Sequence, residues 1–139
     1  MTPLSAAKTF GYSGTPLVKK LGIKEGSRFQ FVSAPRTFRA LLGQLPKATA
    51  VDEGAVDFAI LFVKSRAALA KEFPALRDRL VMNGTLWVSW PKRTSGVATD
   101  LNEGVVRDYG LGAGLVDVKV CAIDDIWSGL KFVRRLKDR

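Results

Sequence analysis

The chain has 139 residues, 47% of them hydrophobic and 25% charged, with a formal net charge of +9. That length suits one domain with a real core, and the composition excludes a wholly disordered chain. There is no histidine and one cysteine, Cys121, which excludes Ser-His-Asp and Cys-His catalysis, His-ligated metal, a disulfide within the chain and a Cys-built zinc site.

Residues 1–14 have no periodicity and contain Pro3, Gly11 and Gly14. They are expected to form an arm before a single domain over 15–135, with a basic tail at 136–139. Thr15 is placed as the N-cap of a short helix ending at Leu21, with Pro16 at its first position and Gly22 as its stop. Arg28 to Ser33 is aromatic and β-branched, a first strand with Phe29, Phe31 and Val32 inside. Thr37 to Leu42 reads as a helix and Ala48 to Val51 as a brief strand. Val56 to Val63 is an almost continuous apolar run, which suits a strand covered on both faces.

Ser65 to Leu80 has helical spacing through Leu69, Phe73, Leu76 and Leu80, and Pro74 is expected to kink or divide it. Asn83-Gly84 reads as a turn and Thr85 to Trp90 as a strand. Asp100 is assigned as the cap of a helix from Leu101 to about Tyr109, with Glu103 at the capping-box position. Leu115 to Ile123 alternates Val116, Val118 and Val120 against Asp117 and Lys119. Asp124 to Gly129 is a connection, and Leu130 to Arg134 is the last strand. The order β-α-β-β-α-β-α-β-β predicts an open, mainly parallel α/β sheet. The last two strands are joined too closely for a crossover, so they are antiparallel.

The charge is uneven. Residues 1–47 hold eight cations and one anion (+7), residues 48–130 are at −2, and residues 131–139 are at +4. If the two ends meet, they make one basic surface that attracts nucleic acid or another polyanion; the alternative is that these cations only solvate the domain. Met1 to Lys20 lacks the apolar region of a secretory signal, and no apolar run reaches the roughly 20 residues of a membrane span. A cytoplasmic protein without membrane contact is expected.

Ligands of open α/β sheets bind outside the carboxyl ends of the strands. Arg36, Lys64, Arg66, Lys92 and Arg93 fall there, beside helix N-termini that also favour anions. The loop after Trp90 adds Thr94, Ser95 and Gly96, whose backbone suits phosphate oxygens, without Walker A spacing. These seven side chains, Arg36, Lys64, Arg66, Lys92, Arg93, Thr94 and Ser95, are the candidate anion site; the alternative is ordinary loop solvation. Tyr12 and Ser13 either close over a pocket as a lid or serve local structure. Trp90 and Trp127 either stack on a ring or belong to the core, and Trp87 is assigned to the core. Cys121 is expected to be an inert strand thiol. Asp124 and Asp125 either serve as a base or Mg²⁺ ligands or, as adjacent acids in a turn, face water.

Three stretches are similar to class I methyltransferases. Val56-Asp57-Phe58-Ala59-Ile60-Leu61 resembles the strand that usually reads "fDlvl", Leu80 to Val88 resembles "LkpGGrlvv", and Gly114 to Val133 resembles the terminal hairpin. The resemblance implies a three-layer Rossmann-like α/β sheet, mainly parallel with an antiparallel C-terminal hairpin strand, and S-adenosylmethionine as cofactor. The chain departs from the pattern after the first strand. Val32-Ser33-Ala34-Pro35-Arg36-Thr37 has no glycine, proline offers no N–H, and Cβ atoms narrow the approach. Ser33 and Asp52 are the candidate cofactor contacts. Asp52 follows the second strand, where dinucleotide folds carry a ribose-binding acid, and its alternative is an exposed turn.

Gly11-Tyr12-Ser13-Gly14-Thr15-Pro16-Leu17, Ser95 to Leu101, Asp117 to Ala122 and Trp127 to Lys131 resemble the bacterial family labelled domain of unknown function 3052. That resemblance carries no activity. Three functions stay open. The first is a noncatalytic binding or regulatory domain for an anionic ligand or protein partner. The second is a small S-adenosylmethionine-dependent methyltransferase with a degenerate cofactor loop. The third is a nucleic-acid binder using the basic ends.

Overall fold

The structure, a computed structural model, describes residues 15–139, so the expected arm with Tyr12 and Ser13 lies outside the described residues. In chain order come α1 (Leu17–Leu21), β1 (Arg28–Val32), α2 (Arg36–Leu42), β2 (Thr49–Ala50), β3 (Val56–Phe62), α3 (Arg66–Arg79), β4 (Leu80–Pro91), α4 (Glu103–Gly112), β5 (Leu115–Ala122) and β6 (Trp127–Arg134). The six strands form one sheet in the order β2-β1-β3-β4-β6-β5. The first four are parallel, and β6 runs antiparallel to both β4 and β5. This is the mainly parallel α/β sheet with a terminal hairpin that the sequence predicts.

Two apolar layers hold it together. Phe58, Ile60 and Phe62 point from β3 to the side of α1 and α2, with Phe38, Leu21 and Trp87. Ala59 and Leu61 point to the side of α3 and α4, with Phe73, Val106 and Phe132. Both faces of β3 are thus covered, which is why its sequence reads as one apolar run rather than an alternation. Each fully buried large side chain contributes about 1.5–3 kcal/mol. The buried Trp87 indole N–H donates to the Leu21 carbonyl at 2.9 Å and ties α1 to the sheet.

Several boundaries differ from expectation, each for a physical reason. Helix α1 starts one residue late, with Pro16 rather than Thr15 at the cap position and no side-chain cap bond. Pro74 neither divides nor ends α3. It and Ala70, whose carbonyl it leaves without a helical donor, both face solvent, where the freed carbonyl is open to water. Asn83-Gly84 makes no separate turn, because β4 already begins at Leu80. Val56 pairs with Leu80 but Phe58 with Thr85, so the intervening residues bulge. A Cβ on Gly84 would stand 2.7 Å from Leu80 Cδ1 and 3.1 Å from the Asp57 carbonyl oxygen, so glycine lets the strands approach closely at the bulge.

Helix α4 is capped by Asn102, whose side chain accepts from the Val105 N–H at 2.9 Å, and not by Asp100. It runs on through Gly110, which faces the Phe132 ring without a side chain between them. In β5 a bulge between Asp117 and Lys119 shifts the register. Val118 and Val120 consequently sit outside, 54% and 45% exposed, on the edge strand, while Leu115 and Cys121 are buried. Strand β6 begins at Trp127, three residues earlier than predicted.

Candidate carboxyl-edge site

The carboxyl ends of β1, β3 and β4 lie side by side along one edge, with neighbouring strands about 5 Å apart. Their loops carry the predicted site residues. After β1 the chain turns sharply at Ser33, which has φ 59° and is the only non-glycine residue at positive φ among the described residues. An L-residue in this left-handed region costs roughly 1–2 kcal/mol where glycine costs almost none. The turn leads through Ala34-Pro35 into α2, whose first residue is Arg36.

The β3–α3 and β4–α4 loops are stitched together. Ser65 caps α3 by accepting from the Ala68 N–H at 3.0 Å. Asp100 accepts from the Arg66 N–H at 2.8 Å, and the Arg66 Nε donates to the Asp100 carbonyl at 3.3 Å. Thr99 donates to the Lys64 carbonyl at 2.6 Å and accepts from the Leu101 N–H at 3.1 Å. The β4 end is fixed on its other side by the Lys92 N–H, which donates to the Ile126 carbonyl at 2.7 Å.

Beyond β4 a 3-10 turn spans Arg93–Ser95 and closes on Gly96. The Ser95 hydroxyl donates to the Lys92 carbonyl at 2.7 Å and accepts from the Val97 N–H at 3.1 Å. The end of β4 and the loop after it wall a polar cleft of about 460 Å³, lined by Trp90, Arg93, Gly96, Thr99, Asp100 and Asn102 among others.

The seven candidate anion-site side chains therefore divide. Arg66 and Ser95 are engaged in holding the loops. The side chains of Arg36, Lys64, Lys92, Arg93 and Thr94 have no hydrogen-bond or ion-pair partner among the described residues. Of these, Arg93 lines the cleft.

Strand β2 pairs with β1 at Arg28 and Phe29, the Val51 N–H carries the ladder on by donating to the Phe29 carbonyl at 2.9 Å, and Asp52 follows directly as an exposed residue. Both indoles are buried: Trp90 belongs to the core beside α3 and α4 and shows an edge to the cleft, and Trp127 packs edge-on against Phe62, centroids 5.1 Å apart. Asp124 accepts from the N–H groups of Ile126 and Trp127, both at 2.8 Å, as a turn acid. Thr99, Asp100 and Asn102 shape the cleft, yet sequence reasoning gave none of them that role. Asn102 had one local signal, an N-cap residue three places before Val105.

No helix among the described residues is long and apolar enough to cross a membrane. No family model and no curated protein matches the chain, so the resemblance to domain of unknown function 3052 has no support from those comparisons. Solved structures do match. The chain is similar to 1,6-didemethyltoxoflavin-N1-methyltransferase of Burkholderia thailandensis, at 11% identity and TM-score 0.59, covering 93% of this chain and 78% of that one. It is similar to magnesium protoporphyrin IX methyltransferase of Synechocystis, at 11% and 0.57, covering 86% and 78%. Both of those enzymes were solved with S-adenosylhomocysteine bound. A methyltransferase of Aquifex aeolicus that depends on S-adenosylmethionine matches at 14% and 0.55, covering 94% and 93%. At such identities the likeness establishes architecture alone: this chain has the Rossmann-like α/β fold of the class I methyltransferases.

Proposed function

We infer that the carboxyl edge binds S-adenosylmethionine and S-adenosylhomocysteine, and that the chain is a small methyltransferase with a glycine-free cofactor turn. The observation that carries this reading is Ser33. A strained left-handed residue sits directly after β1, where the surrounding fold must pay for it, and such strain concentrates at ligand-binding turns. The methyltransferases of like fold, solved with S-adenosylhomocysteine, support the same choice of ligand.

The fit of the cofactor can be weighed residue by residue. The backbone at Ser33 makes the turn for which glycine is the usual residue, and Lys64 on the adjacent strand end offers a free ammonium to a carboxylate. Asp52, just beyond β2 on the strand beside β1, stays the candidate acid for a ribose. When bound, S-adenosylmethionine supplies an electrophilic methyl group; the contribution assigned to this chain is to bind and orient. Calorimetric titration with S-adenosylmethionine tests the reading. Wild type is expected to bind one equivalent, and Ser33→Val is expected to weaken binding at least tenfold. Absence of binding to wild type rejects it.

A second reading rests on charge. The unpaired Arg36, Lys64, Lys92 and Arg93 favour an anionic ligand on a noncatalytic domain. It predicts that Arg93→Gln abolishes anion binding at the carboxyl-edge cleft while wild type ignores S-adenosylmethionine.

A further inference from the structure

A second polar cleft, of about 450 Å³, opens at the opposite end of the sheet, where the strands begin. It is lined by Gly22, Lys24, Glu25, Arg28, Asp57 and Thr85 among others, and Lys119 and Lys131 are not part of that lining. Most basic groups at this end have partners inside the fold. Arg28 grips Asp57 through its backbone N–H and Nε, both 2.8 Å from Oδ2, and through Nη2 at 3.1 Å from Oδ1. Arg134 donates to the carbonyls of Arg77 and Leu80, and Arg135 to that of Leu111, so these arginines complement the C-terminal ends of α3 and α4.

Three lysines are different. Lys119 and Lys131 stand directly opposite each other on β5 and β6, and therefore on one face of the sheet. Like charges in that position are destabilising. Lys119 reaches the Lys20 carbonyl at 3.1 Å. The Lys131 ammonium lies 4.0 Å from where a Cβ on Gly22 would stand, at the rim of the cleft, and has no hydrogen-bond or ion-pair partner among the described residues. Partial burial, then Lys119 and Lys24, hold its pKa below the usual lysine value, and no carboxylate offsets them. Asp57 is taken by Arg28, Glu25 lines the same cleft but forms no ion pair among the described residues, and residues 1–14 contain no Asp or Glu.

We propose that this cleft binds the phosphate group of a small phosphorylated metabolite, held by Lys24 in its lining and by Lys131, which stands against Gly22 at its rim. A phosphate monoester carries about −1.5 to −2 charges at pH 7, enough to offset the cluster where a single carboxylate would not. Lysine suits it as a mobile point charge. The volume fits a small molecule, and the Thr85 and Asn83 side chains, which line the same cleft without partners among the described residues, offer hydrogen bonds to its neutral part.

Calorimetric titration with inorganic pyrophosphate tests the site. Wild type is expected to bind one equivalent. Lys131→Met and Lys24→Gln are each expected to weaken binding at least tenfold, while Arg93→Gln at the other end leaves it unchanged. Lys24 is exposed, so its variant stays informative if Lys131→Met does not fold. Binding that survives both lysine variants, or is lost only with Arg93→Gln, overturns the proposal. So does tight binding of duplex DNA with a steep salt dependence and none of pyrophosphate, which would make the lysines a nucleic-acid surface. These outcomes are independent of whether the carboxyl edge takes S-adenosylmethionine.

Discussion

Asp100 and Arg66 are 34 residues apart, yet the Asp100 carboxylate accepts the Arg66 backbone N–H at 2.8 Å, at the first turn of α3. An acid from the loop before α4 thus satisfies an otherwise orphaned donor of a different helix. Asp100→Ala is expected to lower stability by about 1 kcal/mol, read as a fall in Tm of roughly 3 °C. Asp100→Asn should recover part of it. Because the same bond joins the two loops of the candidate site, Asp100→Ala should also speed amide exchange over 97–102. Exchange unchanged there would confine Asp100 to a capping role.

Ser33 gives a prediction of opposite sign. Ser33→Gly removes the left-handed penalty but adds chain entropy to the unfolded state, so a net gain of up to about 1 kcal/mol is expected. Ser33→Val places a β-branched residue at φ 59° and should destabilise by at least 1–2 kcal/mol, roughly. Chemical denaturation of the three proteins checks the order Gly, Ser, Val.

Gly110 is a packing requirement inside a helix. A Cβ there would stand 2.1 Å from Phe132 Cε1, on a fully buried ring. Gly110→Ala therefore costs about 3 kcal/mol or more through overpacking, despite alanine's better helix propensity. Combining it with Phe132→Leu should restore part of the loss. An additive double variant would contradict the direct clash.

Lys131 makes stability depend on pH in a definite direction. Its pKa is depressed in the fold, so the charged form is disfavoured there and destabilises the native state at neutral pH. That penalty is full below the folded pKa and is relieved as pH rises from there to the ordinary lysine value, about 10.4. Lys131→Met is expected to raise Tm at pH 7, with the gain shrinking as pH approaches and passes that value. A gain that is constant with pH would point to packing rather than charge.

Local signals in the sequence suffice where one element decides its own fate. Val56 to Val63 announces a strand covered on both sides because every residue from Phe58 to Val63 is apolar, and the short step from β5 to β6 leaves only an antiparallel hairpin. What failed was whatever depends on a distant partner. Asp100 looks like the cap of the helix beside it, with Glu103 in register, but its acceptor is used 34 residues upstream. The valines of β5 alternate as a buried face would, but the bulge changes their parity and turns Val118 and Val120 outward.

The charge arithmetic was half informative. Lys24 of the N-terminal segment and Lys131 of the C-terminal one are near enough to repel each other, whereas Arg134 and Arg135 serve helix ends instead. Nor does the sequence reveal that β2 is only two residues long, Thr49–Ala50, where Ala48 to Val51 was expected.

The most direct test of the cofactor assignment is thermal unfolding with and without S-adenosylhomocysteine. At about 100 times its dissociation constant a bound ligand adds roughly 2.7 kcal/mol, a rise in Tm of roughly 5–10 °C for a domain of this size. Such a rise in wild type and in Ser33→Gly, lost in Ser33→Val, is the expected result. An unchanged Tm in both wild type and Ser33→Gly contradicts the assignment and leaves a methyltransferase-shaped domain that serves another ligand.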